Sequence, residues 1–409
     1  MSVALTDAQK LDWLQLIRSE NVGPRTFRTL VNKFGGAGAA LAALPDFLRA
    51  AKGQRAIRIC DRDDAEREYE ATLAAGARFV ALGEEDYPAP LRAIEAAPPL
   101  IAVRGQTHVF RRPAAAIVGS RNASAAGLAF AERLARGLGR EGVVIVSGLA
   151  RGVDAAAHRA SLATGAIGVL AGGLARLYPP EHAALADQIA EAGALVTEMP
   201  LDREPRGRDF PRRNRLVSGL SLATIVVEAT RRSGSLITAR FALEQGRELF
   251  AAPGSPLDPR AEGTNDLLRN GANFCTRPDD VMDVLRPMIE GEAPRRDLFG
   301  EEPPAPHSEP LWDETDLFGA VETPSAVSSL AFDEPGPAFA QAPRAAPPAR
   351  DAVEIVAGLL GPAPVGVDDL ARAAGMTAAQ ARRALMELEL ARKIERHGGD
   401  RVSAAPGPE

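Results

Sequence analysis

Three loops in the middle of this 409-residue chain combine glycine, hydroxyl and arginine side chains in a pattern that suits phosphate binding. They are Gly119-Ser120-Arg121-Asn122, Ser147-Gly148-Leu149-Ala150-Arg151 and Arg232-Ser233-Gly234-Ser235. Glycine lets the backbone approach a phosphate closely, while amide, hydroxyl and guanidinium groups donate hydrogen bonds to it. The loops therefore predict a surface that binds anions. Ser233 and Gly234 of the third loop are candidate phosphate-binding residues.

The densest run of positive charge lies between Arg203 and Arg215. It holds six arginines against two acids, and Phe210-Pro211 falls inside it. Guanidinium groups beside an aromatic ring suit a nucleic-acid backbone whose bases stack nearby. The alternative interpretation is a solvated surface loop.

Asp154 and His158 stand four residues apart in a predicted helix and so share one of its faces. Such a pair can serve acid–base chemistry or bind a metal. A third ligand is not apparent, and we favour a helix-capping aspartate and a packed histidine. The sequence predicts no catalytic residues and no metal site.

Short apolar runs alternate with helical segments from about residue 113 to residue 287. This alternation predicts a mainly parallel sheet with right-handed helical crossovers, an extended Rossmann-like α/β domain. The predicted strands are 114–118, 143–146, 167–170, 194–197, 224–227 and 249–252, and the predicted helices are 125–138, 154–163, 181–191 and 236–245.

Residues 1–78 are predicted to form a small helical domain of the helix-hairpin-helix or SAM-like type. The Gly23-Pro24 turn suits a hairpin whose amides meet a phosphate, although a plain helical turn explains it as well. The Rossmann-like domain is predicted to span 79–290. The next segment, 291–349, is rich in proline, alanine and acids, and we expect a disordered linker.

The predicted linker contains a short repeat, Asp297-Leu298-Phe299-Gly300 and Asp316-Leu317-Phe318-Gly319. Asp-Leu-Phe is similar to the end of peptides that bind the bacterial sliding clamp, although chance in a biased segment also explains it.

Residues 350–405 are predicted to form a winged helix. Its supposed recognition helix offers only Arg382 and Arg383 against two glutamates, which favours a protein-contact or weak DNA role.

The net charge of −6 is unevenly distributed. Residues 291–349 hold 11 acids and 3 bases, so the rest of the chain carries about +2.

Cys60 and Cys275 are the two cysteines, which suits a reducing cytoplasm, and no apolar run reaches membrane-spanning length. Neither GxGxxG nor GxxxxGK[ST] occurs in the strand-end loops, so NAD binding and ATP hydrolysis lose support and no cofactor is predicted.

Taken together, these segments resemble the DNA-processing protein A (DprA/Smf) family over about residues 86–285. The similarity is looser in the two terminal domains. The matching segments, in order, are Gly119-Ser120-Arg121, Ser147 to Asp154 with His158, Tyr178-Pro179, Phe210-Pro211 with Arg213-Asn214-Arg215, Ser233 to Ala239, and Ala252-Pro253-Gly254-Ser255.

The resemblance implies a protein that binds and protects incoming single-stranded DNA (ssDNA) as a homodimer and loads the RecA recombinase during natural transformation. It implies no catalysis and no metal. It assigns DNA contacts to Gly119, Ser120, Arg121, Ser147, Gly148, Arg151, Arg213, Asn214 and Arg215, and a dimer surface to residues 264–274. Asp209 stands where this family often has histidine, and lysines expected near Pro180 and Gly207 are missing, which leaves the DNA path open.

Two other functions remain as alternatives. Related Rossmann-like proteins hydrolyse the N-glycosidic bond of nucleotides, and Asp154, Glu198 and Glu228 lie near predicted strand ends where carboxylates would act. The loop Ala171-Gly172-Gly173-Leu174 matches those hydrolases poorly, however. A transcription regulator acting through the winged helix is the third interpretation, disfavoured by the low charge of its helix.

Overall fold

The structure, a computed structural model, describes residues 4–50, 58–291, 351–398 and 400–405. The chain divides into two compact units. Residues 292–350 lie outside the described residues, and with them both copies of the Asp-Leu-Phe-Gly repeat and almost all of the predicted linker. The division into four domains at the boundaries given above remains a prediction.

The first unit begins with four helices and a strand: α1 (Asp7–Arg18), α2 (Pro24–Phe34), α3 (Ala37–Ala50), α4 (Arg62–Ala74) and β1 (Ala77–Ala81). A capping box formed by Thr6 and Gln9 starts α1, and Gly35 ends α2 in the left-handed conformation. Trp13 and Phe27 are fully buried, with ring centroids 5.0 Å apart. These contacts make the helical hairpin around Gly23-Pro24 a packed element.

The chain continues through α5 (Ala89–Arg92), β2 (Leu100–Gly105) and the 3-10 helix η1 (Thr107–Arg111) into the parallel sheet of the second unit. That sheet and its crossovers are β3 (Ala114–Val118), α6 (Ala125–Arg140), β4 (Val144–Ser147), α7 (Val153–Ser161), β5 (Ala166–Val169), η2 (Pro180–His182), α8 (Ala183–Ala192), β6 (Ala194–Thr197), α9 (Asp209–Gly219), β7 (Ala223–Val226), α10 (Gly234–Glu244), β8 (Glu248–Ala251), η3 (Pro259–Ala261), α11 (Glu262–Arg269), β9 (Asn273–Phe274) and α12 (Pro278–Glu290).

Strands of the second unit lie in the order β6-β5-β4-β3-β7-β8-β9, and adjacent strands pair in parallel. The predicted Rossmann-like fold is therefore confirmed, and the six predicted strands agree with β3 to β8 within one residue. Strand order reverses at β3, because β4 pairs on one side of it and β7 on the other. In open α/β sheets, ligands bind beyond the carboxyl ends of the strands at such a switch point.

The core of this sheet is apolar on both faces. Ile117, Ile145 and Ile225 from three neighbouring strands are fully buried, and Leu134 of α6 and Leu285 of α12 are buried in the same cluster. Burial on both faces explains why these strands read as continuous apolar runs rather than alternating ones. It leaves the strand ends as the place where polar side chains gather.

The C-terminal residues form a winged helix: α13 (Ala352–Leu359), β10 (Val365–Gly366), α14 (Val367–Ala373), α15 (Ala378–Leu390), β11 (Ile394–His397) and β12 (Arg401–Ala404). The three strands form an antiparallel sheet, and the predicted Thr377 cap of α15 is a full capping box with Gln380. The winged helix belongs to the second unit and packs on its parallel sheet domain through α14 and α6. Ala125 joins its core, and an Arg260 guanidinium NH donates to the Leu360 carbonyl at 2.9 Å.

Helices of the described ranges are too short or too polar to cross a membrane.

Candidate functional site

The loops that follow β3 and β4 are held together by their backbones. The amide of Val153 donates to the carbonyl of Ser120 at 3.2 Å, and the Ser147 hydroxyl donates to the carbonyl of Ile117 at 2.6 Å. Gly152 has φ +76°, and a Cβ there would lie 2.2 Å from the Ser120 oxygen. Only glycine fits this close approach, so the two loops form one fixed surface.

Arg213 lies directly beneath the second loop. A Cβ on Gly148 would fall 1.2 Å from its guanidinium, and the residue is only 6% exposed. Its Nε has no hydrogen-bond partner. Burial lowers the pKa of Arg213 to about 10, with nearby Asp154 opposing that shift and Arg121 adding to it. The guanidinium stays charged at neutral pH, so positive charge is stored at the floor of the site.

Asp154 orders the same loop from below. Its carboxylate accepts hydrogen bonds from the amides of Gly148 at 3.0 Å and Ala150 at 3.4 Å. Burial raises the pKa of Asp154, and Arg213 opposes that shift. The prediction that Asp154 caps its own helix was wrong, because Gly152 is the N-cap residue of α7. Asp154 instead ties the loop to the helix, and it occupies the Gly148 amide that the glycine pattern offered to a phosphate.

His158 is fully buried, and neither ring nitrogen has a well-aligned hydrogen bond. Burial lowers the pKa of His158 to about 3, offset only in part by the backbone of Ser147. The ring is therefore neutral in the folded protein near neutral pH. Across the described ranges, His, Cys, Asp and Glu side chains form no cluster of three that could hold a metal ion.

An aromatic and guanidinium platform lies beside the loops. The Arg121 guanidinium is 5.2 Å from the ring centroid of Phe210, within cation–π range, and Tyr178 meets Phe210 edge-on at 5.6 Å. Tyr178 is 44% exposed, and Arg121 is exposed as well. Tyr178 received no binding role from the sequence, because it lies more than 30 residues from Phe210 along the chain. We call the loops at Gly119–Asn122 and Ser147–Arg151, together with this platform, the strand-end groove.

The basic run of 203–215 is not a loop throughout, because its second half is the start of α9. Glu198 accepts from the Nε of Arg212 at 2.9 Å and also pairs with Arg215. Arg215 is 9% exposed, whereas the Arg212 side chain is 47% exposed. The carboxylate thus holds Arg215 inside and Arg212 at the surface.

The predicted site residues divide by exposure into three groups. Arg121, Arg151 and Gly234 are exposed; Gly119, Ser120, Asn214 and Ser233 are partly exposed; Ser147, Gly148, Arg213 and Arg215 are buried. Arg151 pairs with Glu181, whose pKa it lowers. Ser233 caps α10, and the side-chain amide of Asn214 donates to the Gly234 carbonyl at 3.1 Å, which links α9 to that cap.

The carboxylates that a hydrolase would need have structural partners. Glu228 accepts from the amide and hydroxyl of Ser124 at the start of α6, and burial raises the pKa of Glu228. A Cβ on Gly127 would lie 2.5 Å from that carboxyl group, so the glycine makes room for it. Glu198 is held by two arginines and Asp154 by loop amides, as described above.

The chain is similar to known DNA-processing proteins along most of its length. Residues 78–286 match the family model described as DNA recombination-mediator protein A, residues 7–71 a DprA-like N-terminal HHH domain, and residues 340–400 a DprA winged helix domain. Protein Smf of Escherichia coli is 45% identical over 205 residues, which cover 49% of this chain and 55% of that protein. The DNA processing protein DprA of Bacillus subtilis is 42% identical over 213 residues, covering 51% and 72%.

A solved structure shares the fold. The X-ray structure of DNA processing protein A from Streptococcus pneumoniae matches with a TM-score of 0.56 and 32% identity, covering 69% of this chain and 98% of that one. These comparisons confirm the predicted helix-hairpin-helix and winged-helix segments.

The close contact between Gly148 and Arg213 predicts a large effect of a single methyl group. Gly148→Ala should lower the free energy of unfolding by about 1–3 kcal/mol, because the loop or the guanidinium must move. Urea unfolding measures this. The matched control is Gly358→Ala in α13, which has open space around it and should be neutral or stabilising. A Gly148→Ala protein as stable as the wild type would show that the contact is not as tight as described.

Buried His158 predicts a specific acid sensitivity. Its pKa is about 3 when folded, against about 6.5 when unfolded, so the unfolded state binds the extra proton. Its stabilising contribution is present above pH 6.5 and is lost as pH falls toward 3, by up to about 1.4 kcal/mol per pH unit. His158→Gln should flatten the dependence of unfolding free energy on pH between 6.5 and 4.5, and the exposed His397→Gln is the control. Equal slopes in all three proteins would contradict the assignment.

Proposed function

The chain belongs to the DNA recombination-mediator protein A (DprA) family, and from that premise we propose that its strand-end groove binds single-stranded DNA. The observation that carries the proposal is the Arg121–Phe210–Tyr178 platform beside two fixed glycine loops. Base stacking on an aromatic ring needs an unpaired base, and a guanidinium next to the ring meets the adjacent phosphate. One surface thus offers both interactions that a single strand requires.

We propose that the arginines of the groove act at different depths. Arg121 and Arg151 are exposed and contact phosphates directly. Arg213 attracts the DNA backbone from within the protein, since its guanidinium is buried and its Nε has no hydrogen-bond partner. Arg215 positions Arg212 through their shared carboxylate Glu198.

Binding of this kind should be nearly independent of DNA sequence. Phosphate contacts orient a nucleic acid without reading its bases, and every base has a face that can stack. Arg206, Arg208 and Arg232 are exposed and lie in the loops that follow β6 and β7, so they add positive charge at the same edge of the sheet. They also supply charge where the lysines expected near Pro180 and Gly207 are missing.

We further propose that the bound strand is protected and handed to RecA in the cytoplasm, as the family membership suggests, and that the protein acts as a homodimer. For the dimer surface we propose the segment 264–274, where Phe274 on the edge strand β9 is 64% exposed. An exposed aromatic on an unpaired strand edge is a frequent contact between subunits. Sedimentation of the protein alone and then with RecA tests both associations, and a monomer that ignores RecA would contradict them.

The proposal includes no catalysis. The relatives are named as DNA-processing proteins, and the carboxylates of the hydrolase alternative are bound to Ser124, to loop amides or to arginines. We find no observation that favours nucleotide hydrolysis over binding. Incubation with nucleoside monophosphates should release no free base, and release that depends on Glu198 or Glu228 would return the enzyme to consideration.

Replacing two exposed arginines should separate DNA binding from folding. Arg121→Ala with Arg151→Ala should weaken ssDNA binding by at least about 100-fold, since each charge-assisted contact contributes roughly 1.5–3 kcal/mol. Each lost phosphate contact should also make the slope of log binding constant against log salt concentration less negative by about 0.7. Thermal stability should change little, because both side chains are exposed.

The matched control for that experiment lies in the winged helix. Arg382→Ala with Arg383→Ala removes two exposed arginines from α15 and should change ssDNA affinity far less. Fluorescence anisotropy with labelled oligo-dT at several salt concentrations measures both variants. If the α15 pair abolishes binding while the groove pair leaves affinity and salt slope intact, the strand-end groove is not the DNA site.

A further inference from the structure

Helix α15 of the winged helix presents an apolar stripe to solvent. Met386 is 61% exposed and Leu390 is 78% exposed. Ala379, about two helical turns before Met386, is exposed as well. Positions 379, 386 and 390 share one helix face, and Arg382 and Arg383 flank this face near its N-terminal end. We call these five residues the α15 stripe.

Packing of the winged helix directs the α15 stripe outward. Leu385 and Leu388, on the opposite face of α15, are buried in the winged-helix core. It is α14 that packs on α6 of the parallel-sheet domain. Within the described part of the chain, large exposed apolar side chains occur at few places, and two of them stand one turn apart on this helix.

Duplex DNA is a poor match for this surface. Arg382 pairs with Asp400 at 3.1 Å, and Arg383 lies 3.9 Å from Glu387. At the far end of the helix, Glu389 pairs with Arg396 at 2.8 Å. A DNA backbone presents many phosphates in series, whereas the two arginines of this face lie at one end of it and the exposed side chains toward the other end are apolar. The stripe better fits a short peptide that carries one acid next to two large apolar side chains.

We propose that the α15 stripe binds the Asp-Leu-Phe-Gly motif of this same chain, which occurs at 297–300 and again at 316–319. The motif's aspartate meets the guanidinium groups of Arg382 and Arg383. Its leucine and phenylalanine cover Met386 and Leu390. The motif therefore matches the α15 stripe in the order of its charged and apolar side chains. The proposal does not depend on the DNA-binding function.

Chain connectivity favours an intramolecular occupant over an external one. The second motif ends at Gly319 and α13 begins at Ala352. A flexible chain of roughly 30 residues has an average end-to-end distance of about 30 Å, and a stiffer one reaches further, which is enough to cross a winged helix. Such a connection gives an effective concentration of about 1 mM, so a motif whose own Kd is about 100 µM would occupy about nine-tenths of the stripes.

Competition between the tethered motif and a free one tests the proposal. The probe is a fluorescent peptide of residues 311–321, titrated against the full-length protein. A motif variant carries Leu298→Asp, Phe299→Asp, Leu317→Asp and Phe318→Asp. Because this variant leaves the stripe open, it should bind the probe about ten-fold more tightly than the wild type does.

Two further variants locate the binding surface. Met386→Asp with Leu390→Asp, added to the motif variant, should abolish probe binding without unfolding the protein, since both side chains are exposed. Leu243→Asp on α10, at a residue that is 60% exposed, is the control and should leave probe binding unchanged.

Three outcomes would overturn the proposal. Equal probe affinity in the wild type and the motif variant would show that the tethered motif does not occupy the stripe. Probe binding that survives the Met386 and Leu390 changes, or fails in every protein, would show that the stripe is not its site. A shift in the sedimentation of the wild-type protein caused by those same changes would identify the stripe as a contact between copies instead.

Discussion

The approach of the Arg213 guanidinium to the backbone of Gly148 is the contact on which the strand-end groove depends. It places a positive charge under the loop that ends β4, where a side chain at 148 would have displaced it. Burying a charge is costly unless partners compensate for it. Asp154 supplies the compensating negative charge and binds the loop amides as well, so loop shape and charge are set by the same group. The contact of Gly152 with Ser120 then fixes the neighbouring loop in register with this one.

Much of the fold could be predicted from the sequence because its strands are buried on both faces. Apolar runs of four or five residues between glycines have few other structures open to them, and the six strands predicted from them agree with the structure within one residue. The parallel order also brought the glycine loops to one sheet edge. Helix α9 was missed because six arginines suggested a loop, although proline is tolerated in the first turn of a helix, where Pro211 stands.

The depth of each site residue could not be predicted in the same way. Arginine is rarely buried, so Arg121, Arg213 and Arg215 were all predicted to contact DNA directly. The structure separates them, because α9 turns Arg213 and Arg215 inward and leaves Arg212 at the surface. Likewise, the Tyr178–Phe210 contact joins residues distant in the chain, and no local pattern signals it. Fixed loops, a buried charge and an exposed aromatic platform together explain how the proposed binding of a single DNA strand is compatible with an overall negative charge.

The most direct test of this account compares single-stranded with duplex DNA. Purified full-length protein is titrated with labelled oligo-dT and with a duplex of equal length at several salt concentrations. The account predicts tighter binding of the single strand at every salt concentration, because only unpaired bases can stack on Phe210 and Tyr178. It also predicts a negative log–log salt slope that corresponds to several phosphate contacts. Equal or stronger binding of the duplex would contradict the assignment of the groove.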